Sequence, residues 1–332
     1  QMPRPTVPAL KDPKDFRLIG KPIKRRDSRA IVSGSAVYGL DVRLPGMLHA
    51  VIARCPHLGG KLVSFDPAPA LKIAGVKHVV SVQTGLSAGV AVVAVNTWAA
   101  FKGREALRPV WAKGPNPDFD SEAFTQKLDR SLNEPGYVIR REGDAPAALA
   151  GAAQTMEAVY EYPFQAHAPL ETMNCTASVR KDSCEIWVPT QAPEAAQQEA
   201  ARVLGIAPEA VKINITLLGG GFGRRLIVDY VPEAVEISKA AGKPVQVLWT
   251  REDDMRHGFF HPPKVERIQA ALDLSGFPVA WQHKSAGVDL SVIGMPSEED
   301  RKNPNFYRDD GMPWGSFDNP YNFKDLWVDY VP

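Results

Sequence analysis

A chain of 332 residues is too long for a single ordinary core, so two or more packed units are expected. Lys and Arg total 39 against 38 Asp and Glu, a formal net charge of +1 that argues against a dedicated nucleic-acid surface; 44% hydrophobic and 23% charged residues describe an ordinary globular protein. Three scattered cysteines, Cys55, Cys175 and Cys184, form no Cys-x-x-Cys pattern and fall short of the roughly four thiolates an iron–sulfur cluster takes, and no apolar run reaches the ~18 residues of a membrane span.

Residues 1–30 read as an irregular lead-in; the opening QMPRPTVPALKDPKDF is polar, proline-rich and without the basic-then-apolar pattern of an export signal. A first unit is expected over 31–112. Short apolar runs from Ala36 to Ala53, split by Leu44-Pro45-Gly46, predict strands around a tight turn. The β-branched runs Lys77 to Val82 and Val90 to Val95 predict buried strands, with a loop over Thr84 to Gly89 between them, and Trp98 to Leu107 has helical composition.

Residues 113–125, which open on KGPNPDFD, are expected to be a linker, and 126–332 a second unit. There, Thr155 to Pro163 predicts a strand, and Thr176 to Val188 a strand broken at Lys181-Asp182-Ser183. Pro193 to Leu204 predicts a helix stopped by Gly205. Val211, Ile213, Ile215 and Leu217 alternate with Lys212, Asn214 and Thr216, the pattern of a half-buried strand. A helix from about Asp229 to Ala241 tolerates Pro232 only near its first turn; a strand over Val245 to Trp249 and a hairpin of Val265 to Leu274 with Val279 to Ser285 follow. The final DNPYNFKDLWVDYVP stops on what reads as a strand, and both ends of the sequence read as cut.

Chemistry concentrates in Gly219-Gly220-Gly221-Phe222-Gly223-Arg224-Arg225, between the predicted strand and helix. Four glycines in five positions remove side-chain bulk and permit positive φ, so backbone N–H groups can close on an anion, with the following helix adding partial positive charge and the arginines charge-assisted contacts to a phosphate. The P-loop's Gly-Lys-Ser/Thr ending is absent, and Arg224 occupies the sixth position where a dinucleotide fingerprint needs glycine. A tight turn with solvated arginines is the plainer alternative.

A second constellation, Phe164-Gln165-Ala166-His167-Ala168-Pro169-Leu170-Glu171-Thr172, puts an amide, an imidazole and a carboxylate in one segment; acid–base work stands there against a structural His–Glu pair. Gln191 sits between prolines in Val188-Pro189-Thr190-Gln191-Ala192-Pro193. Glu252, Asp253 and Asp254 read as a solvated turn, and His257 and His261, without a third ligand nearby, as structural or loop histidines.

Taken in order, these segments resemble the xanthine dehydrogenase/aldehyde oxidase family of molybdenum hydroxylases, in its isoquinoline 1-oxidoreductase beta-subunit branch, whose members include membrane-associated aldehyde dehydrogenases. SGSAVY (33–38), LPGML (44–48), RCPH (54–57) and Gly75-Val76 resemble the family's hammerhead domain; QAHAPLETMNCTA, VPTQAP and GGGFGRR resemble its first molybdopterin-binding domain. The fold implied is α+β: a hammerhead α/β domain over 31–112, then the first part of a molybdopterin-binding α/β domain over 126–332. The site implied has Gln191 and Phe222 at the reacting centre, Gln191 donating its amide to an oxo ligand, and Gly220, Gly221, Phe222, Gly223, Arg224 and Gln191 around the cofactor. No side chain of this chain is expected as a metal ligand.

The resemblance implies a molybdopterin-type cofactor, with the cytosine dinucleotide form one option, and iron–sulfur clusters only in a partner, a small [2Fe-2S] subunit. It also implies the remaining part of the large subunit as a partner, with a c-type cytochrome a further option. The reaction implied is hydroxylation of an N-heteroaromatic compound or aldehyde with oxygen from water, in the periplasm or on the periplasmic face of the inner membrane; the cytoplasm is the alternative. Leu226 stands where purine-oxidising members place a glutamate, which disfavours xanthine. The family's glutamate base is expected outside this chain, so the chain alone is expected to be inactive. Two other readings stand beside this one: a non-catalytic scaffold or assembly fragment of such a complex, and a nicotinamide- or flavin-binding oxidoreductase, which the glycine spacing disfavours.

Overall fold

The computed structural model describes residues 10–83, 88–288 and 315–332; of the loop predicted over Thr84 to Gly89, residues 84–87 lie outside them. After a one-turn helix α1 (Ser28–Val32), the first unit runs β1 (Leu48–Arg54), β2 (Lys61–Ser64), α2 (Ala68–Leu71), β3 (Val76–Val82), β4 (Gly89–Ala94), α3 (Thr97–Ala106) and β5 (Val110–Ala112). The turn predicted at Leu44-Pro45-Gly46 forms, with Gly46 at φ +69° and Met47 N–H donating to Leu44 O at 3.2 Å. The strand expected before it does not: Gly39–Asp41 is a 3-10 turn, with Gly39 pressed where a Cβ would lie 2.2 Å from Asn174 Oδ1. Tyr38 instead makes an isolated parallel bridge to Leu217.

The second unit begins earlier than predicted. Asp120 accepts a hydrogen bond from Ala123 N at 2.7 Å and so caps α4 (Ser121–Ser131), which shortens the linker expected over 113–125. Beyond it lie β6 (Tyr137–Glu142), α5 (Ala145–Ala150), β7 (Gln154–Tyr162), β8 (Gln165–Ala166), β9 (Asn174–Val179) and β10 (Cys184–Val188). Helix α6 (Pro193–Leu204) stops where predicted, with Gly205 left-handed at φ +69°. β11 (Val211–Ile215), α7 (Tyr230–Ala241), β12 (Val245–Leu248), α8 (Arg251–His257), β13 (Phe260–His261), β14 (Lys264–Leu272), β15 (Pro278–Gly287) and β16 (Asp325–Val331) complete the order.

The two units share one sheet. Its order is β11-β10-β9-β12-β1-β4-β3, so β1 of the first unit lies parallel to β12 of the second. Strands in the middle are covered on both faces, which is why β4 reads as an unbroken apolar run. On β1, Ala50 and Ile52 face the core under α6 and α7, while Val51 faces the core under α3. The alternation predicted for β11 fails at its end, where Ile215 is 59% exposed, because β11 is an edge strand that outruns its cover. A second sheet, β6-β16-β15-β14-β7, packs on α4 through Leu128, Leu132, Val265, Ala286 and Val331.

A buried polar clasp ties the first unit to the second. Arg54 on β1 donates two hydrogen bonds to Glu233 on α7, lies 3.8 Å from the Trp249 ring centroid, and shares Glu233 with Trp249 Nε1–H at 2.9 Å. Removing one partner strands a charge in the core. Glu233→Ala should therefore cost about 3–5 kcal/mol in denaturant unfolding, with much of it recovered in the apolar pair Arg54→Met/Glu233→Leu; a cost near that of a surface change would refute the clasp.

In the second sheet Glu266 is 6% exposed, beside Lys264, His283 and Ser285. Burial pushes its carboxyl up, but the His283 ring 3.7 Å away and the hydrogen bond from Lys264 win and draw it from the usual 4.5 to about 2. A depressed carboxyl stabilises fully above its unfolded value and less as pH falls toward the folded one. The stability difference between wild type and Glu266→Gln should thus shrink between pH 4.5 and 2; a difference independent of pH there would contradict the pairing.

Candidate functional site

The three segments singled out from sequence converge on one place. Their hub is Arg225, 0% exposed. Its Nε–H donates to Gly220 O (2.8 Å), one Nη to Pro189 O (3.1 Å) and the other to Glu171 O (2.7 Å), so one guanidinium gathers a carbonyl from each segment. Tyr230, whose phenol burial pushes up to about 12, donates to the same Pro189 oxygen at 3.1 Å.

Glu171 is the complementary acceptor. Its carboxylate takes hydrogen bonds from Gly219 N (2.9 Å), Leu40 N (3.1 Å), Asn174 Nδ2 (3.1 Å) and Arg225 (3.3 Å). These contacts make Glu171 an orienting anchor for the glycine loop. The His–Glu pair considered from sequence is absent: His167 bonds Phe259 O through Nδ1 at 3.0 Å instead. Gln165 lies on β8 paired with His261.

Within the glycine loop, Gly220 and Gly223 take φ +101° and +94°, and Phe222 is left-handed at +54°. A Cβ at Gly221 would lie 2.6 Å from Gln191 Oε1, so any side chain there pushes the Gln191 carboxamide out of place. Gln191 is fixed twice, by its N–H to Arg225 O at 3.1 Å and by Gly223 N–H to its Oε1 at 3.2 Å. Because Oε1 faces Gly223, the NH2 of this exposed side chain points away as a free donor. Among the described residues, the amides of Gly220, Gly221 and Phe222 have no acceptor. Three unpartnered backbone donors and one carboxamide donor thus lie together in the glycine loop and the segment bonded to it, an arrangement suited to oxygen atoms.

Two expectations about charge are corrected. Arg224 does not face the loop's open side: it is 2% exposed and forks onto Asp229 at 2.8 and 2.9 Å, between the Trp249 and Phe259 rings. A buried guanidinium needs an anion and donor partners, and Asp229 supplies them, so neither Arg224 nor Arg225 is available to a phosphate. The following helix starts close to where it is expected, α7 beginning at Tyr230 against about Asp229, with a 3-10 turn, Arg224–Leu226, between it and the glycines. The acidic run is not a solvated turn either. It lies in α8, where Asp253 completes a capping box with Thr250 and pairs with Arg104 at 2.8 Å, and Asp254 pairs with Arg251.

His257 is half-buried, and burial, then Arg54, lowers its pKa. His261 stacks on His167 with ring centroids 3.9 Å apart. Sequence reasoning missed this pair and the Arg224–Asp229 fork; the five-residue Arg–Asp spacing was a usable signal for the fork, whereas β8–β13 pairing carries none. The residues present fit a group that offers oxygen atoms to backbone and carboxamide donors, and they include no group of three or more metal-ligating side chains among the described residues.

Comparison with known proteins agrees with this geometry. Residues 131–287 match the molybdopterin cofactor-binding domain family. The chain is 36% identical over 277 residues to the isoquinoline 1-oxidoreductase subunit beta of Brevundimonas diminuta, covering 80% of this chain and 35% of that protein. It is 33% identical to the membrane-bound aldehyde dehydrogenase (pyrroloquinoline-quinone) of Gluconacetobacter polyoxogenes, over 83% of this chain and 37% of the relative. Its fold superposes on the aldehyde oxidoreductase of Desulfovibrio gigas with a TM-score of 0.67 at 15% identity, covering 92% of this chain and 38% of that one. The chain therefore spans little more than a third of the length of these relatives. With its glycine loop and Gln191 lying inside the matched domain, it belongs to the molybdopterin-binding subunits of the xanthine dehydrogenase/aldehyde oxidase family of molybdenum hydroxylases.

Proposed function

We propose that this chain forms one wall of the cofactor site in a molybdenum hydroxylase that oxidises an N-heteroaromatic compound or an aldehyde with oxygen from water. Electrons leave to a separate [2Fe-2S] subunit. The observation that carries the reading is the cluster of free donors: the amides of Gly220, Gly221 and Phe222, with the Gln191 NH2 turned outward by the bond from Gly223.

When bound, the molybdenum–pterin group supplies the redox chemistry and the activation of water. The chain's own residues hold and orient it. The amides of the glycine loop grip oxygen atoms of the group, Gln191 donates to one from the adjacent segment, and Arg225 and Glu171 fix the distance between the two from behind. Phe222, 67% exposed with its ring beside Gly220 and Pro169, and Leu226, 48% exposed, give the open side an apolar border. That border suits a neutral aromatic or aldehyde better than a charged purine. The substrate class draws support from the names of the isoquinoline and aldehyde relatives. The proposed place is the periplasm or the periplasmic face of the inner membrane, and one relative is named as membrane-bound; no helix among the described residues is long and apolar enough to cross a membrane itself.

The test is the full-length subunit purified with its partner and analysed for molybdenum and pterin. Both are expected in stoichiometric amount; a folded complex with neither would defeat the proposal. Gln191→Ala, at an exposed position, should leave folding intact while lowering kcat about 100-fold, the scale of one lost oxygen-binding donor. Gly221→Ala forces Gln191 aside and should cut pterin retention roughly tenfold, equivalent to ~1.4 kcal/mol of binding. Wild-type turnover and pterin content in both variants would show that these residues do not face the cofactor.

A further inference from the structure

His167 is held in an arrangement that neither hub explains. Its Nδ1 faces the Phe259 carbonyl at 3.0 Å, and a carbonyl can only accept, so the proton is on Nδ1. In the neutral ring Nε2 is then a bare lone pair. That nitrogen lies on the side of the glycine loop: it is the nearest atom, at 3.7 Å, to where a Cβ on Gly223 would sit. Nε2 has no hydrogen-bond partner among the described residues, although the ring is half-buried.

The surroundings keep the ring neutral and still. Burial, then His261 and Arg224, holds its pKa down at about 4, and the stacked His261 ring blocks one face at 3.9 Å between centroids. The next residue, Ala168, is left-handed at φ +44°, a strained backbone for a residue with a Cβ. Arg251 secures the far side, donating to Pro169 O at 2.7 Å and Leu170 O at 2.9 Å. A strained, doubly tethered segment that ends in an unused acceptor is a built feature.

We propose that His167 is a positioning residue for the bound cofactor: locked as the Nδ1–H tautomer, it accepts through Nε2 a hydrogen bond from an N–H or O–H group of the molybdenum–pterin beside Gly223. The Gly220–Phe222 amides and the Gln191 NH2 donate to the group, and His167 adds an acceptor, so together they fix its orientation as well as its position. This rests on the cofactor reading above.

The experiment uses the cofactor-loaded, full-length complex labelled with 15N-histidine and studied by solid-state NMR, with the His167 signals assigned by their loss in His167→Asn. Nδ1 protonated and Nε2 unprotonated, with Nε2 in a hydrogen bond once cofactor is present, is the expected result. Asn keeps a donor near Nδ1 for Phe259 O but has nothing at Nε2, whereas Gln carries its polar end near Nε2. His167→Asn should therefore lose about fivefold to tenfold in pterin retention, the worth of one hydrogen bond, and His167→Gln should restore most of it. An Nε2–H tautomer, an Nε2 signal unmoved by cofactor, a signal that moves only when an aldehyde or N-heteroaromatic probe is added, or full pterin retention in His167→Asn would each overturn the proposal. A wild-type complex without molybdenum or pterin would overturn the underlying reading instead, so the two failures are distinct.

Discussion

The arrangement of this site depends on one buried cation. Arg225 gathers carbonyls from Glu171, Pro189 and Gly220, and no other residue type offers five donors in a rigid plane that could reach three loops at once. Its charge is balanced by Glu171, which also seizes the Gly219 amide and the Leu40 amide of the first unit. The loops are therefore cross-braced from beneath, and the face they present needs no side chains of its own. This is how a stretch of near-bare backbone can be held at fixed geometry without filling the space it encloses.

Strain collects on the same face. Among the described residues, Ala168 and Phe222 are the non-glycine positions with positive φ, one in each of the two segments that border the donors. Left-handed geometry at such residues costs on the order of 1–3 kcal/mol each and persists only where surrounding contacts over-determine it. Here the determining contacts are visible: Arg251 on the carbonyls after Ala168, and Arg225 and Gln191 on either side of Phe222.

Much of this was legible in the residues. Helix α6 ends at Leu204 because Gly205 can turn left-handed, and the glycine loop announces itself by composition. Elements whose signal is local came through. What stayed hidden depends on contacts between distant residues. Arg224 and Arg225 look like surface cations until Asp229, Glu171 and Pro189 are placed around them, and Asp253 looks solvated until Arg104 arrives from the first unit. Gly39 gives no hint that Asn174 will press on it. The pairing of Gln191 with the glycine loop came from family resemblance; nothing in the spacing between residues 191 and 221 encodes it.

The shared sheet also sets an order of events during synthesis. β1 can pair at once with β4, but its other edge waits for β12, where Leu48 meets Val245 roughly 200 residues later. At about 5–20 residues per second the ribosome needs on the order of ten to forty seconds to deliver that strand. Throughout that interval Ala50, Ile52, Ala91 and Val93 lack the helices that later cover them, and an apolar hairpin stands with one side open. A nascent chain built this way invites holding by a chaperone until α7 and β12 emerge, and excising the first unit as an independent domain would leave that side open permanently.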